Sequence, residues 1–155
     1  MQRSLWWAGL LAVVLLSTTA QAYDVNANAK ADVQQALTTA QKSKKPVLLV
    51  FGADWCPDCR ALDKALKTGK NAKLIAKSFQ LVKIDVGNFD HNVDLSDRYG
   101  SPIKKGIPAA VILSPDNQVL YTTKAGELAN ARKMSDDGIY EFFKQAANQV
   151  TTLKK

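Results

Sequence analysis

The feature that most constrains this chain is a pair of cysteines that follows closely on an apolar stretch. Residues 47–51 are continuously apolar, which predicts a buried β-strand. Cys56 and Cys59 come next, and the residues beyond them have helical periodicity. Cys56 is therefore expected at a helix N-terminus, where free backbone N–H groups and the helix dipole favour a thiolate. Pro57 suits the first helical position because its missing N–H costs nothing there. The arrangement predicts a redox-active dithiol.

Other uses of paired cysteines fit the sequence less well. A c-type haem requires a histidine directly after the second cysteine, and Arg60 stands there. A closed zinc site needs four ligands, whereas the chain has two cysteines and one histidine. That histidine, His91, lies among asparagines and aspartates, which indicates a solvated loop rather than a metal site. An inert disulfide remains possible, although so short a loop removes little unfolded-state entropy. We expect no metal and no cofactor.

The N-terminal region has the pattern of a secretory signal peptide. Arg3 provides a positive start, and residues 5–16 form an apolar run that is short for a membrane span. Ala20 and Ala22 then provide a small-x-small cleavage site. This pattern predicts a signal peptide at residues 1–22 and a single domain at residues 23–155, with an uncleaved anchor helix as the alternative. A bacterial periplasm, which tolerates dithiol chemistry, is the expected location.

The net charge of +7 raises the question of a nucleic-acid partner. Many of the lysines recur at helical spacing between apolar residues, and no aromatic residues alternate with them. This is typical of the solvated side of helices, so we expect no nucleic-acid partner, with substrate steering as a lesser alternative. The lysines concerned are Lys64, Lys67, Lys70, Lys73 and Lys77.

The hydrophobic pattern predicts the element order α-β-α-β-α-β-β-α. Ser135 is expected to cap a final helix that has an apolar stripe. The predicted strands cover residues 47–51, 79–86, 109–113 and 119–124. The predicted helices cover residues 28–41, 56–68 with a second segment at 71–78, 93–99, and a final one that buries Ile139, Phe142, Phe143, Ala146 and Val150.

Two motifs together resemble the thioredoxin superfamily across essentially all of residues 23–155. The first is Trp55-Cys56-x-x-Cys59 between a strand and a helix, and the second is Gly106-Ile107-Pro108 before a later strand. The resemblance implies an α/β thioredoxin-like fold with a central mixed β-sheet of about four strands flanked by helices. It also implies that Pro108 is cis beside the dithiol, with a trans turn proline as the alternative. The backbone of Ile107 is then expected to pair with an extended substrate peptide.

The resemblance further implies a mechanism. Cys56 attacks a substrate disulfide to form a mixed disulfide, and Cys59 then attacks Cys56 to release the reduced substrate. Trp55 is expected to provide an apolar wall beside the thiol, or else to be a plain packing residue.

This chain departs from the thioredoxin pattern at the group that helps to deprotonate the second cysteine. The strand aspartate of thioredoxins corresponds to Val50, and its lysine partner aligns with Leu81. Both polar members would then be replaced together, which leaves no lone buried charge. We expect Asp58 to accept the Cys59 proton instead. The alternative is that Asp58 only complements the helix dipole.

The carboxylates of Asp54 and Asp58 disfavour a further anion nearby, which predicts a less stabilised thiolate and a more reducing pair. The expected protein is a monomeric periplasmic protein-disulfide reductase. It would receive electrons from a membrane thiol donor and pass them to oxidised secreted proteins. A disulfide oxidant or isomerase is the alternative within enzymes. A Cu(I) metallochaperone using Cys56 and Cys59 is the alternative outside them, although no methionine or histidine flanks the motif.

Overall fold

A computed structural model of the chain describes residues 21–152, so most of the predicted signal peptide lies outside the described residues. The described part has one four-stranded mixed sheet in the order β2-β1-β3-β4. β1 pairs in parallel with β2 and antiparallel with β3, and β4 is antiparallel to β3. The mixed sheet expected from the sequence is confirmed. The strands are β1 (Val47–Gly52), β2 (Gln80–Asp85), β3 (Ala109–Leu113) and β4 (Val119–Thr122).

The helices follow the predicted order, with boundaries that shift by a few residues. The second helical segment after the cysteines begins at Gly69, which has a positive φ of 54°, a conformation that glycine adopts without a steric cost. Short 3-10 turns occur at Pro102–Lys105 and Ala131–Lys133. The α-helices are α1 (Ala29–Ser43), α2 (Pro57–Leu66), α3 (Gly69–Ser78), α4 (Val93–Arg98) and α5 (Asp136–Thr152).

The core is built around β1 and β3, whose residues are all buried. Strands covered on both faces are expected to be continuously apolar, as these two are. The predicted cap of the last helix is confirmed, because the Ser135 hydroxyl accepts a hydrogen bond from the Gly138 N–H at 3.0 Å. Most of the predicted stripe on α5 is buried, and Phe142 is partly buried.

The predicted solvated face of α2 and α3 is confirmed, since the five lysines are exposed. Two of them form ion pairs: Lys67 with Asp63 at 2.7 Å and Lys70 with Asp137 at 2.7 Å.

Lys83 is the β2 neighbour of Val50. The comparison with thioredoxins aligned their lysine partner with Leu81, whereas the register pairs Val50 with Lys83 and Leu81 with Leu48. Strand register depends on the pairing of whole strands, which spacing along the chain does not determine. A lysine therefore lies next to Val50, and this part of the sheet is not wholly apolar.

Within residues 21–152, no helix combines the length and the apolar character that crossing a bilayer requires. The apolar run at residues 5–16 lies outside the described residues.

Candidate active site

The two cysteines lie at the start of α2, as the sequence predicted. Cys56 is the N-cap residue, and its Sγ accepts a hydrogen bond from the Cys59 backbone N–H at 3.2 Å. The cysteines form a disulfide with their Cα atoms 5.2 Å apart. Cys59 is completely buried, whereas Cys56 keeps 4% of its surface exposed. An N–H directed at the Cys56 sulfur, together with the helix dipole, is suited to stabilise a thiolate there.

The second motif meets the first in space. The Ile107–Pro108 peptide bond is cis, and the Ile107 carbonyl oxygen lies 3.7 Å from the Cys56 Sγ. Ile107 and Pro108 are both buried and directly precede β3. The proximity brings a backbone carbonyl to the sulfur expected to carry the substrate. The pairing of this backbone with a substrate peptide remains a prediction.

An exposed aromatic pair borders the dithiol. Trp55 is 53% exposed, and its indole N–H donates to the Gly87 carbonyl at 2.8 Å. Its ring meets Phe89 edge-to-face at 6.3 Å between centroids, and Phe89 is 44% exposed. The sequence analysis missed Phe89, although a single aromatic residue in a polar loop was a visible signal. Two exposed aromatic side chains thus lie side by side next to the dithiol.

The loop that carries Phe89 is fixed by Asp85 at the end of β2. The Asp85 carboxylate accepts the Gly87 N–H at 2.9 Å, and its backbone carbonyl accepts the Asn92 side-chain amide at 2.8 Å. Gly87 has a φ of 53°, and a Cβ there would lie 2.6 Å from the His91 Nδ1. No group of three or more metal-ligating side chains occurs among residues 21–152.

Asp58 is directed toward the loop before α5. Its Oδ1 accepts the Arg132 backbone N–H at 3.0 Å, and its Oδ2 lies 3.6 Å from the Arg132 Nε. The side chain is 13% exposed. The carboxylate therefore has one oxygen bound to a backbone N–H, and a second at ion-pair distance from a guanidinium. Its role as proton acceptor remains a prediction.

A second carboxylate lies on the face of α2 that carries Cys59. Asp63 is four residues after Cys59, a spacing that places two side chains on one side of a helix. Its two oxygens accept hydrogen bonds from Lys83 at 2.8 Å and Lys67 at 2.7 Å. The sequence does not reveal this contact, because Lys83 meets Asp63 only through the pairing of β2 with β1.

The ring of Tyr23 packs against Gly52, with the ammonium of Lys83 over its face. It is 1% exposed, and its hydroxyl has no hydrogen-bond partner within the described part of the chain. Burial raises the pKa of Tyr23 far above its ordinary value, and the charges of Asp63, Asp54 and Asp85 raise it further. The phenol therefore remains protonated and neutral.

The dithiol and the mixed sheet agree with the family comparison. A family model described as thioredoxin-like matches residues 28–115. The chain belongs to this thioredoxin-like family.

Several relatives have names that refer to disulfide chemistry. A crystal structure described as a disulphide isomerase from Xylella fastidiosa Temecula1 superposes with a TM-score of 0.81 at 58% identity, covering 83% of this chain and 98% of that one. The thiol:disulfide interchange protein DsbD 1 of Pseudomonas aeruginosa is 29% identical over 91 residues, which are 58% of this chain and 15% of that protein. The chain thus spans a small fraction of the curated relatives that it matches.

The oxidised C-terminal domain of DsbD from Neisseria meningitidis also has the same fold. It superposes with a TM-score of 0.51 at 24% identity, covering 82% of this chain and 99% of that one.

Proposed function

We propose that this chain is a periplasmic thiol-disulfide oxidoreductase that reduces protein disulfides through Cys56 and Cys59. The observation that carries the proposal is the disulfide at the N-terminus of α2. There the Cys56 sulfur accepts an N–H bond and lies beside the Ile107 carbonyl. Membership of the thioredoxin-like family supports the same chemistry.

In the reduced protein, the Cys56 thiolate attacks one sulfur of a substrate disulfide, and the other substrate sulfur leaves as a thiolate that takes up a proton. Cys59 then loses its proton and attacks the Cys56 sulfur, which releases the second substrate sulfur. The substrate gains two electrons, and the Cys56–Cys59 pair becomes the disulfide seen in the structure. A dithiol donor must return two electrons to the pair before the next cycle.

We propose that Asp58 accepts the proton that Cys59 loses. This residue lies inside the motif, and its Oδ2 is 3.6 Å from the Arg132 Nε, which is longer than a hydrogen bond. An oxygen with free lone-pair capacity is what a proton acceptor requires.

The substrate surface we propose consists of Trp55, Phe89 and the backbone at Ile107–Pro108. The aromatic pair offers exposed apolar area, and the backbone offers groups for strand-like pairing. Oxidised secreted proteins present both apolar side chains and extended backbone near their disulfides when they are not fully folded.

The proposed direction of electron flow rests on charge. Asp54 and Asp58 both flank Cys56 and disfavour its thiolate. Backbone N–H donors and Arg132 offset part of this charge. We therefore expect a potential closer to thioredoxin, about −270 mV, than to the oxidant DsbA, about −120 mV.

The proposed location follows from the predicted signal peptide. A membrane thiol donor is the proposed electron source, because the periplasm is oxidising and electrons must be delivered to a reductase there. Relatives named as thiol:disulfide interchange proteins support an exchange between dithiols. We propose that the protein acts as a monomer.

An isomerase is the second candidate, favoured by the description of the Xylella relative. An isomerase uses the same attack by Cys56 but recovers its dithiol when a correct substrate disulfide forms. The substrate therefore undergoes no net reduction.

Two measurements test the proposal. Equilibration against glutathione or dithiothreitol buffers gives the potential, and a value above about −150 mV on this scale would overturn the reductase assignment.

Incubation with insulin and with a scrambled multi-disulfide protein separates reductase from isomerase. A reductase reduces insulin with a dithiol donor, and Cys56→Ser abolishes this activity. Recovery of native pairing without net reduction would favour the isomerase, and tight Cu(I) binding without disulfide reduction would favour a metal carrier.

A further inference from the structure

The segment at the predicted cleavage site is bound against the active-site turn. The backbone N–H groups of Ala22 and Tyr23 both donate to Oδ1 of Asp54, at 2.8 Å and 2.9 Å. Ala22 is 7% exposed and Tyr23 is 1% exposed. A carboxylate two residues before Cys56 therefore holds the start of the expected mature chain.

The side chain of Tyr23 makes this position specific. Its ring lies directly over Gly52, where a Cβ would overlap the ring carbons and the hydroxyl. A glycine at the end of β1 is therefore needed for the ring to approach the strand this closely. The ammonium of Lys83 lies 5.8 Å from the centre of the same ring. These contacts fix the backbone nitrogen of Tyr23 close to Asp54.

Asp54 is itself part of the turn that presents the dithiol. Its backbone carbonyl accepts a hydrogen bond from the Arg60 guanidinium, and the next carbonyl upstream, that of Ala53, accepts the Cys56 N–H at 3.2 Å. A change at the Asp54 carboxylate is therefore transmitted to the backbone on which Trp55 and Cys56 sit.

We propose that cleavage after Ala22 creates an α-ammonium at Tyr23 that forms an ion pair with Asp54 and holds the active-site turn in place. The proposal rests on the cleavage site proposed above and is independent of the direction of electron flow. Hydrolysis of the Ala22–Tyr23 peptide bond consumes one water and leaves a carboxylate on Ala22 and an amine on Tyr23. The amine is protonated at neutral pH, because a free α-amino group has a pKa of about 8.

The change strengthens the contact with Asp54. In the folded, uncleaved chain, Asp54 accepts two neutral amide N–H groups. In the mature chain it lacks the Ala22 donor and has a charged one instead, and charge-assisted hydrogen bonds are about twice as strong as neutral ones. The positive charge also offsets the carboxylate that opposes a thiolate at Cys56. Tyr23 is thus a positioning residue for the dithiol.

The burial of the site sets the order of events. A protease needs an extended and accessible segment, and both residues at the proposed bond are buried in the folded protein. Cleavage therefore precedes folding, and the folded mature chain forms with its ammonium already in place.

The test compares the protein that begins at Tyr23 with its Nα-acetylated form. The acetyl group places a carbonyl and a carbon atom where the carbonyl and Cα of Ala22 stood, and it converts the ammonium to a neutral amide N–H. We expect acetylation to lower the midpoint of thermal unfolding by about 5 °C. We also expect it to slow alkylation of the reduced Cys56 thiol at pH 7 about twofold, a readout that a purely structural contact does not change.

Asp54→Asn is the matched control, since it keeps the shape and the acceptor oxygen but removes the carboxylate charge. In this variant, acetylation is no longer expected to lower the midpoint of unfolding, because the ammonium has no carboxylate to pair with. An equal fall in the midpoint on acetylation of both proteins, or no fall in the wild type, would overturn the proposal. A mass of the secreted protein that places its first residue elsewhere would also overturn it. If the protein that begins at Tyr23 shows these effects of acetylation but does not reduce insulin, the result would count against the proposed function and not against this proposal.

Discussion

The helix that carries the dithiol bears two carboxylates that are almost equally buried but differently held. Asp58 is 13% exposed and Asp63 is 11% exposed. Asp58 accepts a backbone N–H from Arg132. Asp63 accepts ammonium groups from Lys83 and Lys67, one on each oxygen. The same helix therefore carries one carboxylate bound to a loop and another bound between two cations.

The two carboxylates differ in their hydrogen-bond partners rather than in their burial, and this difference separates a candidate base from a structural acid. A carboxylate whose two oxygens both form charge-assisted hydrogen bonds with ammonium groups would weaken those bonds by accepting a proton. Asp63 lies on the same face of α2 as Cys59, so position on the helix alone would favour Asp63 as the acceptor of the Cys59 proton. We nevertheless propose that Asp58 receives the proton and that Asp63 joins α2 to the sheet through Lys83.

The largest effect is expected from Cys59→Ser, which removes the group whose proton either acid would accept. The variant should still form mixed disulfides through Cys56, but it cannot resolve them, so covalent complexes accumulate. Non-reducing electrophoresis followed by mass spectrometry measures them. Complexes that resolve at the wild-type rate would show that neither carboxylate has this role. Cys56→Ser is the control and should form no complex.

Asp58→Asn is the next largest change. It keeps the size of the side chain and removes the base, so resolution of the mixed disulfide should slow by about 10- to 100-fold. Stopped-flow kinetics must follow attack and resolution separately, because loss of the charge also favours the Cys56 thiolate and speeds the first step. Resolution as fast as in the wild type would reduce Asp58 to an acid that complements the helix dipole.

Asp63→Asn is expected to affect stability more than rate. The change leaves Lys83, whose side chain is 26% exposed, without its carboxylate, which should cost about 1.5 kcal/mol. The midpoint of thermal unfolding should fall by about 5 °C, while resolution slows less than about threefold on the scale of general-base effects. The reverse pattern, with slow resolution and unchanged stability, would transfer the base assignment from Asp58 to Asp63.

The smallest effect is expected from Lys67→Gln, which removes the outer cation of Asp63. Lys67 is 53% exposed, so the pair should contribute less than about 1 kcal/mol, or about 2 °C in unfolding temperature. The hydrogen bond with Asp63 raises the pKa of Lys67. The contribution is therefore fully present below the ordinary lysine pKa of about 10.4 and is lost as the pH rises through the raised value. Thermal unfolding at pH 7 and above pH 10.5 measures it.

The predicted elements agree with the structure where short-range patterns decide the outcome. β3 was predicted at its observed bounds, and the cap at Ser135 is confirmed because the hydroxyl needs only the residues that follow it. The position of Cys56 at a helix start follows equally from local sequence, since Pro57 and the apolar periodicity define the helix.

The omissions occur where distant segments meet. Lys83 was not recognised as the neighbour of Val50, because alignment by spacing cannot determine the pairing of two strands. Phe89 was missed because its contact with Trp55 depends on how Asp85 and Gly87 fold the loop back toward the dithiol. The Tyr23 contact with Asp54 bridges 31 residues, and no local pattern predicts such a bond.

The sequence alone determined the reactive pair and its place at a helix N-terminus, because hydrophobic periodicity and capping act over a few residues. Its two motifs carried the resemblance to the fold family. Only the tertiary structure decided which charges face one another around that pair. It placed Lys83 against Asp63, Arg132 against Asp58 and the Tyr23 nitrogen against Asp54. Those pairings depend on how the strands align and how the loops return, and electrostatic effects at a site depend on distances that only the folded chain sets.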